Sequence, residues 1–496
     1  MKKFWCILIF AAALILAACG RAEPAELSDL EYALKAAYER RLEIIKPDYN
    51  MLISLTEGRR PLTWEQLYEY GYLSTLWEWE SDWEILMDMP EAISVEDALM
   101  DARELFIALR HVYGGYLYFG GDEVFVPLLE AVLADISAHG DRIATMDLIN
   151  ILHGRLSEVI VDNHFSVWNR FMSQSANFYY SRALIFDRTE NGFRNRESGL
   201  YVSEVRGHEV DEVFRLSIDD EGNLFYSPIV MTLNMPSVYP LVITYEDGTA
   251  TTTALFQRSH DHREFAPANM EFIEGIPVIS VMRMGFTAHD NSSSVECARA
   301  FLSFAEQVRD EPVIIVDLRG NGGGNGNLGA RWFYSLLGEV IPANRVWVTA
   351  REFDGWVENH PENQFHDRRE DIEHLVDSRG FEGHTVGSTH ADRIVANEQL
   401  IIILVDRGTA SAAEGMADLA LNMENTLIIG QNTGGALGFD LTYFGLSLPN
   451  SEIPLGFGRT MMVWPEGHFA EGVGLAPDIW AQGDALAAAL QLIINN

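Results

Sequence analysis

The sequence predicts an α/β protein in which a helical N-terminal part and a β-rich middle precede a layer of alternating strands and helices. Three observations carry this. Apolar residues recur at helical spacing from Leu30 to about Ile160, and short strand-like runs broken by turn residues follow between about Val167 and Ala268. From Ile276 onward, β-branched runs alternate with amphipathic stretches. At 496 residues the chain can bury a large core and hold two or more domains.

The elements follow in order. Lys2 and Lys3 precede an apolar stretch that closes in Leu16-Ala17-Ala18-Cys19-Gly20. That run is too short and too sharply ended for a membrane span and reads as a targeting segment over residues 1–19. It resembles a bacterial lipobox, in which Cys19 becomes the lipidated N-terminus; ordinary secretory cleavage nearby is the alternative. In either case the mature chain is expected outside the cytoplasm, and with lipid on Cys19 it is anchored to the cell membrane. Residues 20–28 form a short tether. Ser94 and Asp97 open a helix that carries Leu99, Phe106 and Leu109, in a capping-box pattern. A later helix runs from about Thr145 to Val159 and stops just before Asp162-Asn163-His164-Phe165. Trp64, Trp77, Trp79 and Trp83 read as part of a helical core. In the middle module, Asp219 to Asn223 and Glu246-Asp247-Gly248 are hairpin turns. Next come a strand at Ile276 to Val281, a helix at Ser294 to Val308, a strand at Pro312 to Leu318 and a helix at Leu328 to Leu337. The polar stretch from about 350 to 397 reads as an insertion, in the manner of a lid. A strand from Gln399 to Asp406, a helix from Ala412 to Glu424, a strand from Thr426 to Ile429 and a last helix from Ala485 complete the chain.

Composition excludes some functions. The formal net charge is −38, and a leader that takes Lys2 and Lys3 with it leaves the mature chain more acidic still. Such a surface excludes nucleic acid and charge-driven binding to anionic lipid. Cys6 leaves with the leader and Cys19 carries lipid, so Cys297 stands alone and no intramolecular disulfide is expected.

Ser411 is the leading nucleophile candidate. It lies in Gly408-Thr409-Ala410-Ser411-Ala412-Ala413-Glu414, between a buried strand and a helix. Free N–H groups at a helix start can stabilise an oxyanion. No lysine follows Lys46, so a base for this serine must be histidine. The run Asp317-Leu318-Arg319-Gly320-Asn321-Gly322-Gly323-Gly324 follows a buried strand and suits an oxyanion hole, because consecutive glycines let the backbone aim its amides inward. Gly324 to Gly329 also fits G-x-G-x-x-G, yet no acidic residue ends a second strand about 20 residues on, where a dinucleotide site needs one. His164 is favoured among the 14 histidines because it sits where a helix ends, and the carbonyl end of a helix favours an imidazolium. Glu471, in Glu471-Gly472-Val473-Gly474, can orient the base from the far side. His260 with His262, and His360, His366, His374, His384 and His390, carry no clean ligand motif, so neither metal nor cofactor is expected.

Together these pieces, with Gly430-Gln431-Asn432-Thr433-Gly434-Gly435 and Pro477-Asp478, resemble the family of tail-specific (C-terminal-processing) and tricorn-type serine peptidases over roughly residues 270–480. The resemblance implies a crotonase-like (ClpP/crotonase) α/β spiral as catalytic core and cleavage of peptide bonds through an acyl-enzyme. One branch of the family uses a lysine base just past Gly-x-x-Thr-x-Gly; here that position is Ala436. The chain therefore resembles the tricorn-like branch. Ser411 matches its nucleophile, His164 its base and Glu471 its orienting acid, while Ala412 and Gly322 or Gly323 match its oxyanion amides. That branch can carry a serine just before the histidine as a relay; this chain has Asn163, with Asp162 or Ser166 as substitutes.

The expected layout is a helical domain over 20–165, a β-rich module over 166–268 without a recognisable PDZ module, and a catalytic domain over 269–490. The expected function is an exported, lipid-anchored serine endopeptidase acting on peptides or unfolded proteins. The alternatives are a non-catalytic module that binds peptides or apolar ligands on the same scaffold, and an acyl-CoA enzyme of the crotonase type.

Overall fold

A computed structural model describes residues 27–43, 89–233, 236–257, 268–285, 292–343, 345–350, 379–381, 384–389, 394–439, 444–458, 460–465 and 467–496. Cys19 and the tryptophans at 64, 77, 79 and 83 lie outside these residues, as does most of the insertion. Among the described residues no helix is long and apolar enough to cross a membrane.

The architecture is mixed α/β, built on a mixed sheet of 14 strands. Its parallel part runs Ile276–Ser280, Val313–Asp317, Leu400–Val405, Thr426–Gly430 and Ile479–Ala481. These strands are rich in isoleucine and valine because both of their faces are covered. Alternate side chains reach opposite layers. Ile401, Ile403 and Val405 pack beneath the helices Ser292–Gln307, Asn327–Leu337 and Ala412–Ala420. Ile402 and Leu404 pack on the other side with Ala33 and Ala37 of Asp29–Glu43 and with Ala488 and Ala489 of Ala485–Ile494.

The helix Ala412–Ala420 ends four residues earlier than expected, because the Asn422 side chain donates to Asp418 O at 3.1 Å and draws the chain into a turn. Within that layer Gly329 permits close helix packing: a Cβ there would stand 2.6 Å from the Met416 Cβ. The helix that carries Ser411 at its head is thereby held against its neighbour.

The middle of the chain is not set apart from this sheet. Ile479–Ala481 pairs in parallel with Phe214–Ile218, and the sheet continues antiparallel through Leu224–Thr232, Asn177–Tyr180, Ala250–Gln257, Tyr239–Tyr245 and Val202–Val205. Both hairpins expected at Asp219 to Asn223 and at Glu246 to Gly248 join adjacent strands of it. Two segments of the insertion, Arg379–Phe381 and His384–Thr389, form a second sheet with Arg345–Ala350 and Thr460–Val463.

The N-terminal helices Val95–Val112, Asp122–Ser137 and Thr145–Leu156 share one core with residues from the far end of the chain, among them Phe439, Ile453, Leu455 and Phe457. The Ser94 hydroxyl caps the first of them, accepting from Asp97 N at 3.0 Å as the capping pattern predicts. The strand Asp162–Val167 follows the last and pairs with Pro454–Gly456. This pairing places the His164 strand in a separate four-stranded sheet with Arg170–Met172, Pro454–Gly456 and Phe444–Ser447.

Candidate active site

Ser411 stands where the sequence placed it, between the buried strand Leu400–Val405 and the helix Ala412–Ala420. Its backbone is left-handed, φ 53°, a conformation that costs energy for any residue with a side chain and persists only where neighbours impose it. The neighbours are visible. Asp406 Oδ1 accepts from Gly320 N at 2.8 Å and Gly408 N at 2.9 Å, and Thr409 Oγ1 donates to Leu318 O at 2.9 Å. On the other side, Glu414 in the first helical turn accepts the Ser411 N–H at 2.9 Å.

Glu414 is fully buried and also accepts from Gly435 N and Ala436 N at 2.8 Å and from Thr433 Oγ1 at 2.5 Å. Burial pushes its pKa up while these donors oppose the rise. The motif Ser-x-x-Glu is in the sequence and is a helix-start pattern, so this anchor was open to discovery there.

The glycine loop lies directly against the serine. Gly323, at φ +101°, leaves no room for a side chain: a Cβ would stand 2.7 Å from the Ser411 Cβ and 2.8 Å from Ala410 O. Its own N–H donates to Asn321 Oδ1 at 2.9 Å. Of the two glycines named from the sequence, Gly323 thus has its amide engaged within the loop. Gly323→Ala is expected to push Ser411 out of line and lower kcat about a hundredfold, by the usual cost of misplacing a reacting atom by about 1 Å. Steady-state rates on a fluorogenic peptide, with circular dichroism to confirm folding, check this.

His164 Nε2 lies 3.3 Å from Ser411 Oγ. The two residues are 247 positions apart in the chain, and this contact joins the helical N-terminal part to the catalytic sheet. The reason given for His164 from the sequence needs correction. Its helix ends at Leu156, and His164 sits instead on the strand Asp162–Val167. There burial outweighs any helix-end effect and pushes the imidazole pKa down to about 4. Its Nδ1 is buried and has no hydrogen-bond partner among the described residues.

The strand reaches the serine by breaking its own ladder. Asp162 pairs with Met172 and Ser166 with Phe171, so the residues between them bulge out of register. A bulge leaves backbone amides without ladder partners. Two carboxylates take them: Asn163 N donates to Glu471 Oε1 at 2.9 Å, and His164 N and Phe165 N donate to Asp162 Oδ1 at 2.7 and 3.1 Å.

Glu471 therefore meets the histidine segment through the main-chain amide of Asn163, not through its side chain; the Asn163 carboxamide donates instead to Gly435 O. The second Glu471 oxygen accepts from Gly438 N at 2.8 Å. Burial, reinforced by the nearby Asp162, pushes the Glu471 pKa well up. Ser166 is back in the ladder, opposite Phe171 and Gly456, and a Cβ at Gly456 would stand 2.8 Å from its hydroxyl. The structure thus gathers Ser411, His164, Glu471, Asn163, Asp162, Gly323 and Ala412 at one place.

Arg407, which the sequence gave no reason to single out, ties the pieces together from below. Its guanidinium donates to Val473 O at 2.9 Å, to Gly472 O at 3.2 Å and to Thr433 O. It thereby links the loop before Ser411 to the segment after Glu471.

Asp162, His164 and Glu471 also offer ligand atoms within 4.8 Å of one another. Both Glu471 oxygens and both Asp162 oxygens already accept protein donors, so this set is organised around hydrogen bonds. Of the other histidines weighed for metal, His384 pairs by backbone with Ala350 and Phe381, and the rest lie outside the described residues.

A serine at a strained strand-to-helix turn, in contact with an imidazole and a glycine loop, defines a class: the chain is a serine-type peptidase, and its substrates are peptides or proteins. Residues 279–481 match the model of peptidase family S41, which supports over that segment the resemblance to tail-specific and tricorn-type peptidases. Compared with curated proteins, the sequence finds no match.

Among solved structures, mature CPAF is 14% identical, with 81% of this chain and 98% of that chain covered and a TM-score of 0.42. The photosystem II D1 C-terminal processing protease is 14% identical over 77% of this chain and 92% of its own, with a TM-score of 0.36. The tricorn protease is 13% identical, covering 81% of this chain and 37% of that one, with a TM-score of 0.34.

Proposed function

We propose that the chain is an exported, lipid-anchored endopeptidase that works through an acyl-enzyme on Ser411, with His164 as base and Glu471 as orienting acid. The observation that carries this is the 3.3 Å contact between His164 Nε2 and Ser411 Oγ. In the proposed cycle His164 Nε2 takes the hydroxyl proton as Ser411 Oγ bonds to the peptide carbonyl carbon. The Ala412 and Gly322 amides hold the resulting oxyanion. His164 then returns the proton to the leaving amine, and the C–N bond breaks to leave an ester on Ser411. Water, deprotonated by the same nitrogen, attacks that ester, and Ser411 recovers its proton. Glu471 acts on the base through the Asn163 N–H, so it fixes where the ring stands. An imidazole buried and neutral at pH 7 suits this duty as base.

The catalytic core of this reading is a crotonase-like spiral over 269–490, flanked by the helical part over 20–165 and the β-rich module over 166–268. Support for export and anchoring is the leader with Lys2, Lys3 and Cys19 in its lipobox context.

The test is covalent labelling. A fluorophosphonate probe should modify Ser411 in the intact protein, and Ser411→Ala should abolish both labelling and casein cleavage while the melting temperature stays unchanged. Folded protein that neither labels nor cleaves would instead favour the non-catalytic binding module.

A further inference from the structure

The bulge that presents His164 is held by a carboxylate, and that carboxylate is itself held. Asp162 is fully buried, and its Oδ1 accepts the amides of His164 and Phe165. Its Oδ2 accepts the phenol of Tyr113 at 2.9 Å. Tyr113 caps the helix Val95–Val112 and is fully buried. Its ring is fixed on several sides: Phe165 and Phe457 meet it edge-on at 5.3 and 5.9 Å, and Phe439 and Phe119 stack at 5.8 and 6.3 Å. A ring packed this tightly places its hydroxyl with little freedom.

From these contacts we propose that Tyr113 is a positioning residue for the base: by donating to Asp162 it keeps that carboxylate aimed at the bulged amides, and so sets where the His164 ring stands against Ser411. This rests on the His164–Ser411 reading above. Tyr113, His164 and Glu471 are among the ionisable groups near Asp162, with Glu414 beyond Glu471. Burial and then the nearby Asp162 push the Glu471 pKa well up, so two carboxyl groups crowd one imidazole and compete for the donors around it. The phenol is the side-chain donor that the helical part contributes to this cluster. It also explains why that part carries the base: the hydroxyl comes from the end of one of its helices.

Tyr113→Phe removes one oxygen and keeps the ring, so the packing survives. Loss of a hydrogen bond to a charged group should lower kcat about tenfold. KM should be unchanged, because the phenol lies behind the base and not in the peptide path. The telling readout is a fall in kcat at unchanged KM and unchanged melting temperature. A packing role alone would lower the melting temperature and leave kcat in place; that result, or wild-type kcat, overturns the proposal. Tyr113→Leu serves as the packing control and should lose stability. Ser411→Ala and His164→Ala run beside it. If both are inactive and Tyr113→Phe is unaltered, the positioning role alone fails; if either of them stays active, the underlying reading fails.

Discussion

His164→Ala is expected to lower kcat about 10⁴-fold or more, in line with removal of the base from serine hydrolases. Fluorophosphonate labelling of Ser411 should fall with it, since the same nitrogen activates the hydroxyl toward the probe. The distinctive result lies in the pH profile of the unaltered protein. An exposed imidazole protonates near pH 6.5, but burial brings His164 to about 4. The working form is neutral, so kcat/KM should hold as the pH falls through 6.5 and should halve near 4, measured on a fluorogenic peptide. An acid limb centred at 6.5 would show the ring to be solvated and the enclosed site to be wrong.

The same burial links folding to pH. The unfolded chain binds a proton at His164 below 6.5, whereas the folded chain resists it until about 4. Stability from this group is therefore complete above 6.5 and lost progressively as the pH falls toward 4, by about 3 kcal/mol in all. His164→Ala should flatten that part of the stability-versus-pH curve, which denaturant titrations at several pH values can read.

The second large effect concerns the helix Asp29–Glu43. Arg41 is 4% exposed and donates at 2.7 Å to each of Met423 O, Thr426 O and Asp478 Oδ2. Arg40 donates to Asp478 Oδ1 at 2.8 Å and to Pro477 O at 2.9 Å. Asp478 itself is almost wholly enclosed, with side-chain exposure of 1%. Arg41→Met removes a buried cation and the donor to two carbonyls, and leaves Asp478 Oδ2 with the Ile428 amide at 2.8 Å but without its buried counter-charge. The expected cost is about 3 kcal/mol, since breaking a buried pair from one side exposes the partner's full desolvation penalty. Arg40 is about a third exposed and should cost much less when replaced by Met, since water screens and replaces it. Urea denaturation of the two variants separates them; equal, small losses would mean that the helix is merely apposed to the sheet.

Much of the fold is legible because it is local. The runs Val313–Asp317 and Leu400–Val405 are β-branched and short, so they announce buried parallel strands. The Ser411 turn is bracketed by such a strand and by an amphipathic helix. His164 was found for a reason that did not hold. Periodicity shows a helix ending, but not that the next residues form a strand with a bulge, whose register depends on Met172 and Phe171. The partners of Glu471 were hidden for a similar cause: its acceptor role is toward a backbone amide 308 residues away, and every residue but proline offers one. Nor does any local pattern show that Trp480 pairs with Ser217, the register that makes one sheet of two apparent modules. The insertion, read as polar cover, contributes the strand His384–Thr389, whose partner Arg345–Ala350 lies before it, and the strand Arg379–Phe381, which pairs with His384–Thr389.

The strand bearing His164 is completed late. One ladder partner is Pro454–Gly456, and the carboxylate that receives its bulged amide is Glu471. Both follow Ser411 in the chain, so the meeting of His164 with Ser411 depends on residues that come after the two of them.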